Sequence, residues 1–203
     1  MTIDDLLAEE VPAMPPVSMA VVEAWGESAL DAFNRDWRTR PAALDLVDVI
    51  ERVLPEHGIH VVPASARELG PRYALTDPEG TGEINILVRE DLWANLYERG
   101  RRAHHPRATI GHELGHAVMH VHVLRRRMAL PQRQHLLARQ ARRDLPAYCD
   151  PEWQAWAFAG ALLIPRRAIQ MLRRPSVEDV ATTFHVSEQF VQAHLKRIKL
   201  VLP

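Results

Sequence analysis

Four ionisable side chains share one short stretch, "TIGHELGHAVMH" at residues 109–120. His112 and His116 are four residues apart, Glu113 follows the first histidine, and His120 comes four residues after the second. On a helix, side chains four apart project from one face with about 5–6 Å between their Cβ atoms, so both imidazoles can reach one ion. Glu113 then lies about 100° around the helix, beside the ion. In this His-Glu-x-x-His pattern the histidines bind zinc and the glutamate is the general base. The alternative is a helix with surface histidines.

Two histidines leave a zinc site incomplete, because a catalytic zinc takes three protein ligands and one open position. His120 is the nearest candidate, but on a straight helix it lies about 12 Å along the axis from His112. We therefore expect His120 to support a ligand or to pack. Glu152 is the better candidate, since it falls in the first turn of an apolar helix whose start is marked by Asp150 and Pro151. The alternative is that the helix dipole alone favours a carboxylate there.

The elements that must position these residues follow from hydrophobic periodicity and from caps and breakers. Residues 1–17 are acidic and then proline-broken, which predicts a flexible arm. A helix is predicted over residues 18–38, with an apolar face formed by Val22, Trp25, Ala29, Phe33 and Trp37. The pattern further predicts a helix over 42–54, strands at 59–63 and on both sides of a turn at 77–80, a helix over 106–124, a helix from 151 to 164, and two short helices capped by Ser176 and Ser187. The order along the chain, with helices first, then a small sheet and then helices again, predicts an α+β fold.

Length and composition limit the function classes. The 203 residues allow one sizeable core, and the net charge of −1 gives no overall attraction to nucleic acid. One cysteine, Cys149, excludes an internal disulfide, and no apolar run is long enough to span a membrane. The acidic start lacks the basic residues of a secretory signal, so we expect a cytoplasmic protein. Residues 125–143 contain seven arginines and no acid, which predicts a solvated loop or a surface for an acidic partner.

A family resemblance rests on two motifs in order. "RATIGHELGHAVMH" at 107–120, followed by "EWQAWAFAGALLIP" at 152–165, resembles the ImmA/IrrE family of metallopeptidases, and the likeness extends from about residue 43 to 200. It implies a thermolysin-like minimal metallopeptidase core, with Zn²⁺ on His112, His116 and Glu152 and with Glu113 as base. The implied organisation is an acidic arm and helix over 1–40, a metallopeptidase domain over 41–172 and a helix-turn-helix-like segment over 173–203.

One position departs from the family pattern. Trp156 stands where the family has Asn or Asp, and such a polar side chain would hydrogen-bond a ligand histidine. Indole is only a donor and cannot accept that bond. We expect a backbone carbonyl or water to replace it, or zinc to bind more weakly. Trp156 would then be a hydrophobic wall against Trp153 or the helix of His116.

These residues predict a zinc-dependent endopeptidase in which Glu113 moves the proton. The oxyanion donor is open among Tyr148, His104, His105 and Arg107, and an extended substrate is expected along residues 84–88. The resemblance implies a helix-turn-helix transcriptional repressor as substrate, whose cleavage would switch on stress or mobile-element genes.

Two alternatives come from other classes. One is a catalytically weak or inactive zinc-binding partner protein, suggested by Trp156. The other is a DNA-binding regulator acting through residues 176–199. The near-neutral chain does not favour DNA binding, because DNA affinity comes largely from phosphate contacts. The oligomeric state is left open by the sequence.

Overall fold

A computed structural model describes residues 10–79, 82–98, 100–129 and 139–203. The helices are α1 Met19–Phe33, α2 Leu46–Glu56 in three consecutive segments, α3 Ala66–Leu69, α4 Glu90–Leu96, α5 His104–Met119, α6 Val121–Met128, α7 Pro151–Leu163, α8 Arg166–Met171, α9 Val177–Phe184 and α10 Glu188–Ile198. The strands are β1 Glu10–Pro12, β2 Ile59–Ala64, β3 Ala74–Asp77, β4 Ile84–Arg89 and β5 Arg139–Ala141. The predicted α+β class is confirmed.

The main sheet has the order β2-β4-β3, with β2 parallel and β3 antiparallel to β4. β4 therefore has a partner strand on each side. The expectation that a substrate adds along residues 84–88 is wrong, because those backbone groups are already paired within the sheet. β3 occupies one edge of this sheet. The predicted turn at 77–80 includes Gly80, which lies outside the described residues.

Helix α7 lies at the centre of the packing. Phe158 and Leu162 join the sheet residues Ile86 and Val88 in one hydrophobic cluster that also takes in α1, α2 and α5. On its other side α7 contributes to a second cluster with α8, α9 and α10. A helix buried on both sides needs apolar residues all round, which is what the sequence of α7 provides.

Helix α1 buries most of the predicted face: Val22 lies in the core, and Ala29 and Phe33 pack against it. Val22, Gly26 and Leu30 are buried, whereas Trp25 is 38% exposed. Gly26 faces inward because α1 and α7 approach closely there. A Cβ atom at Gly26 would lie 2.7 Å from the Cβ of Ala161. The helix also ends at Phe33, before the predicted end, where Asn34 leaves the helical conformation.

Residues 10–17, here called the N-terminal strap, are packed rather than flexible. β1 pairs antiparallel with β5. The backbone N–H of Met14 donates to the carbonyl of Cys149 at 2.9 Å, and that of Val17 donates to the carbonyl of Tyr148 at 3.0 Å. These bonds give an extended, proline-broken segment the partners that it cannot make within itself. Residues 1–9 of the predicted arm lie outside the described residues.

The predicted helix over 106–124 is divided in two. α5 ends at Met119, His120 forms its C-cap, and α6 starts at Val121. The predicted helix over 42–54 instead runs from Leu46 to Glu56. Within the described ranges, no helix combines the length and the apolar character needed to cross a bilayer.

Candidate metal centre

Glycine sets the distance between α5 and α7. A Cβ atom at Gly115 would lie 2.8 Å from both the Cα and the carbonyl oxygen of Ala155, closer than such atoms can stand. One turn earlier, a Cβ at Gly111 would lie 3.1 Å from the Cδ1 of Leu163. The two backbones can approach this closely because position 115 carries no side chain. The first turn of α7 is thereby brought onto the histidine face of α5.

This approach assembles the three residues that the sequence singled out. The Nε2 atoms of His112 and His116 are 3.1 Å apart. Glu152 places one carboxylate oxygen 3.1 Å from His112 Nε2 and the other 3.2 Å from His116 Nε2. His112 is buried, while the side chains of His116 and Glu152 are 19% and 27% exposed, so one side of the cluster is open.

The donor set fits a zinc ion in chemistry and in spacing. His₂Glu is an established set of protein ligands for catalytic zinc. Atoms bound about 2.0 Å from one tetrahedral ion stand about 3.3 Å from one another. The 3.1 and 3.2 Å separations between the histidine nitrogens and the carboxylate oxygens are close to that value. Residues His112, His116 and Glu152 can therefore hold a metal.

Within the cluster, the Glu152 carboxylate and the His116 imidazole stabilise each other's charged forms. Burial alone would raise the pKa of the Glu152 carboxyl, but hydrogen bonds with His112 and His116 outweigh burial and hold that pKa far below its usual range. Burial likewise opposes the charged form of His116, yet the Glu152 carboxylate outweighs it and raises the pKa of the His116 imidazole. The carboxylate is thus the ionised member that a cation requires.

Glu113 lies beside the cluster and faces the sheet. It is buried, and its Oε2 accepts a hydrogen bond from the hydroxyl of Thr76 on β3 at 2.7 Å. The same hydroxyl is 3.0 Å from the backbone carbonyl of Glu113. Thr76 was missed in the sequence because nothing in a strand pattern shows which helix residue a hydroxyl will meet.

His120 stands behind His116 rather than in the ligand set. It is 1% exposed, its Nδ1 is 3.0 Å from His116 Nδ1, and its Nε2 is 2.9 Å from Gln154 Oε1. Burial, helped by the adjacent His116, lowers the pKa of His120 to about 3. Gln154 was also missed, although a single glutamine in the apolar sequence of α7 was a signal that a buried polar partner lies opposite.

Trp156 packs on the helix of His116, through His112. The two rings have centroids 4.3 Å apart and planes tilted by 35°. On its other side Trp156 meets Phe190 of α10, with centroids 6.4 Å apart. The Nδ1 of His112 is buried and has no hydrogen-bond partner among the described residues. The expected carbonyl partner for this histidine is therefore not found in the described chain.

The oxyanion candidates are scattered. Tyr148 has an exposed side chain, and its backbone carbonyl accepts bonds from the strap and from Gln154. Arg107 is buried and donates to the carbonyl of Leu44, and burial lowers its pKa to about 10. His105 lies edge-on to Tyr73 at 4.7 Å. The contacts of Arg107 and His105 thus involve residues other than the three candidate ligands.

An α+β core in which a histidine helix and a glutamate helix meet beside a small sheet is consistent with a minimal metallopeptidase. Residues 101–196 match the IrrE N-terminal-like domain of the Peptidase_M78 family, a segment that includes α5, α7, α9 and most of α10. This match confirms the resemblance to the ImmA/IrrE family that the sequence motifs indicate. Comparison with curated proteins and with solved structures gives no match.

Proposed function

We propose that this protein is a zinc-dependent endopeptidase. The observation that supports it best is the cluster of His112, His116 and Glu152 with the buried carboxylate of Glu113 beside it. When bound, Zn²⁺ would supply Lewis acidity, which makes a water molecule more acidic and polarises a peptide carbonyl.

Glu113 has the surroundings of a positioned base. Thr76 donates to one carboxylate oxygen, Oε2, which fixes the carboxylate and leaves Oε1 to accept a proton from water. Glu113 then passes that proton to the leaving amine, so one carboxylate acts first as base and then as acid. The hydrogen bond to Thr76 also joins the base to β3, the strand nearest to it.

β3 is our candidate for the substrate-binding edge. In the part of the chain that the structure describes, β3 pairs only with β4, and Leu75 on it is 37% exposed. An extended peptide can add to such an edge through main-chain hydrogen bonds. Its scissile bond would then lie beside Glu113, because Thr76 belongs to the same strand.

The substrate that we propose is a helix-turn-helix transcriptional repressor. This part of the proposal is supported by the family match alone. With such a substrate the protein would act in the cytoplasm, in the control of stress or mobile-element genes.

The second candidate function is a zinc-binding regulatory protein with weak or no catalysis. The observation that favours it is the unpartnered Nδ1 of His112 beneath Trp156. Losing the hydrogen-bond partner of a ligand histidine typically costs 10–100-fold in metal affinity or activity. Hydrolysis by the zinc-loaded protein separates the two candidates.

The test measures zinc and hydrolysis in the same samples. The wild-type chain is expected to hold one zinc, and His112→Ala, His116→Ala and Glu152→Ala should each lose it. Glu113→Gln keeps the shape of the side chain but accepts no proton, so it should keep zinc and lose hydrolysis by about 10²-fold or more.

Glu178→Gln, at an exposed position on α9, is the matched control and should change neither quantity. A wild-type chain that binds no zinc would contradict the proposal. A zinc-loaded Glu113→Gln variant as active as wild type would remove Glu113 from the mechanism.

A further inference from the structure

We propose that Gln154 and His120 are positioning residues, which hold His116 in the tautomer that presents its Nε2 lone pair to the metal. The inference rests on the proposed function, because His116 is a ligand only if that proposal holds. It follows from a chain of hydrogen bonds in which each donor is fixed by the one before it.

The chain begins at the amide of Gln154, which is 1% exposed. Its Nε2 lies 3.0 Å from the carbonyl oxygen of Pro15 and 2.8 Å from that of Tyr148. Carbonyl oxygens only accept, so the NH₂ group of the amide must face these two atoms. The amide oxygen, Oε1, must therefore point the other way.

His120 is the next link. Gln154 Oε1 is 2.9 Å from His120 Nε2, and because an amide oxygen cannot donate, His120 carries its proton on Nε2. His120 is 1% exposed and its two ring nitrogens contact an amide and another imidazole rather than a carboxylate, so burial favours the neutral ring. A neutral imidazole with its proton on Nε2 has an acceptor at Nδ1.

His116 is the last link. Its Nδ1 is 3.0 Å from the Nδ1 of His120, which is an acceptor, so His116 must donate from Nδ1. The remaining ring nitrogen of His116, Nε2, is the atom that lies 3.1 Å from His112 Nε2 and 3.2 Å from Glu152. A histidine ligand binds a metal through the nitrogen that the other nitrogen's hydrogen bond leaves free. The network therefore selects Nε2 of His116 as a ligand atom.

Part of this network comes from outside the family domain. Pro15 belongs to the N-terminal strap, whereas the family match covers residues 101–196. Hydrogen bonds hold the strap on both sides of Pro15. The Arg127 side chain donates to the carbonyl of Ala13, and the backbone N–H of Val17 donates to the carbonyl of Tyr148. The strap thus helps to orient Gln154, and through it the metal ligand.

The test compares zinc dissociation constants, measured by competition with a chelator. Gln154→Leu removes the acceptor for His120, and His120→Leu removes the acceptor for His116, so each should bind zinc 10–100-fold more weakly. Gln154→Glu keeps a carboxyl oxygen opposite His120, so its zinc affinity should stay close to that of wild type even though its bonds to Pro15 and Tyr148 change. Gln170→Leu, at an exposed position on α8, is the control.

Both Gln154 variants disturb the strap, but only Gln154→Glu keeps an acceptor for His120. Normal zinc affinity in Gln154→Glu, with weak binding in Gln154→Leu, would therefore show that Gln154 orients His116 and does not only hold the strap in place. Circular dichroism and thermal melting of the metal-free proteins identify the folded variants. In ¹⁵N-histidine NMR of the zinc-loaded wild type, His116 should carry its proton on Nδ1, hydrogen-bonded and slow to exchange, and that exchange should become fast in His120→Leu.

Three results would overturn the inference while the proposed function stands. One is that folded Gln154→Leu and His120→Leu bind zinc as tightly as wild type does. If one of these variants fails to fold, the result for the other decides. Another is weak zinc binding by folded Gln154→Glu, and the third is a His116 proton on Nε2. A wild-type chain that binds no zinc fails the proposed function itself, so the two failures are distinguishable.

Discussion

At the scale of single residues, the two histidine ligands of the candidate centre have unlike surroundings. The Nδ1 of His116 has a partner, whereas that of His112 is buried without one among the described residues. The ring of Trp156 covers His112 at the position where the family has Asn or Asp. His112 is therefore the ligand whose orientation depends most on packing alone.

The substitution Trp156→Asn tests this difference. Asparagine can accept a hydrogen bond from Nδ1 of His112, so zinc should bind about 10-fold more tightly or better. The smaller side chain also leaves a cavity, and the free energy of unfolding should fall by a few kcal/mol. Chelator competition and urea unfolding measure the two effects.

Trp156→Leu serves as the control, because it loses packing without gaining an acceptor. Zinc affinity that is unchanged or lower in Trp156→Asn would mean that His112 already has its support and that Trp156 is only core packing.

The sequence predicts well which three side chains come together in the candidate centre, and predicts poorly the residues that contact them, for a physical reason. His112, Glu113 and His116 are related by helical spacing, and Glu152 follows a helix start that is marked by local capping residues. Such relations are short-range. Thr76 reaches Glu113 across 37 positions, and a contact of that kind depends on how whole elements pack.

At the scale of elements, the site depends on how closely α5 and α7 can pack. Gly115 allows backbone contact with Ala155, and Glu152 lies in the turn of α7 just before that contact. A wider separation of the helices would move the carboxylate of Glu152 away from the two histidines. The packing of small residues is thus as necessary to the site as the ligands.

Gly115→Ala should therefore lower both stability and zinc affinity. Alanine is favoured over glycine inside a helix by about 1 kcal/mol. The new Cβ would overlap the backbone of Ala155 at 2.8 Å, and overpacking of this kind costs about 1–3 kcal/mol. The clash should prevail, with a net loss of up to about 2 kcal/mol in urea unfolding and weaker zinc binding.

Gly111→Ala is the matched variant one turn away. Its Cβ would meet the end of the Leu163 side chain at 3.1 Å, which can shift, so its stability should stay near that of wild type. A Gly115→Ala protein that is more stable and binds zinc normally would show that the helices are not held at this distance by glycine.

The elements themselves were partly predictable. Helices with strong periodicity or caps, such as α7, α9 and α10, lie where the sequence places them. The strand order was not predictable, because β4 lies between strands that both precede it in the chain. The strap was also missed, since its partners at Tyr148 and Cys149 are far away in sequence.

At the scale of the whole molecule, α7 joins the candidate site to the C-terminal helices. Ala159 and Leu163 of α7 share a hydrophobic cluster with Phe184 of α9 and Val191 of α10. Trp156 contacts both His112 and Phe190, so a line of rings runs from α5 to α10. The segment predicted to resemble a helix-turn-helix therefore packs against α7, the helix that carries Glu152.

His194 is the buried titratable group in this junction. It is fully buried on α10 against Gly160 of α7, where a Cβ atom would lie 1.9 Å from its Nδ1. Neither of its ring nitrogens has a hydrogen-bond partner among the described residues. Burial, with Arg197 and Arg166 adding positive charge, lowers the pKa of His194 to about 3 from 6.5.

The stability of the protein should consequently fall as the pH drops below 6.5. In the unfolded chain His194 takes up a proton near pH 6.5, whereas in the folded chain it stays neutral until about pH 3. Between these values the unfolded state binds more protons, so this one group lowers the free energy of unfolding by up to about 1.4 kcal/mol per pH unit. Above pH 6.5 its contribution is constant.

The contribution of His194 is isolated by urea unfolding of wild type and His194→Leu between pH 7.5 and 5. Excess chelator is present throughout, so that metal release does not affect the result. The wild-type curve should fall more steeply with decreasing pH than the curve of the variant, by up to about 1.4 kcal/mol per unit below pH 6.5. His122→Leu, at an exposed position on α6, should keep the wild-type slope. Equal slopes for wild type and His194→Leu would show that His194 gains a proton as readily in the folded chain as in the unfolded one. The junction between α7 and α10 would then have to admit water or charge, which its packing against Gly160 argues against.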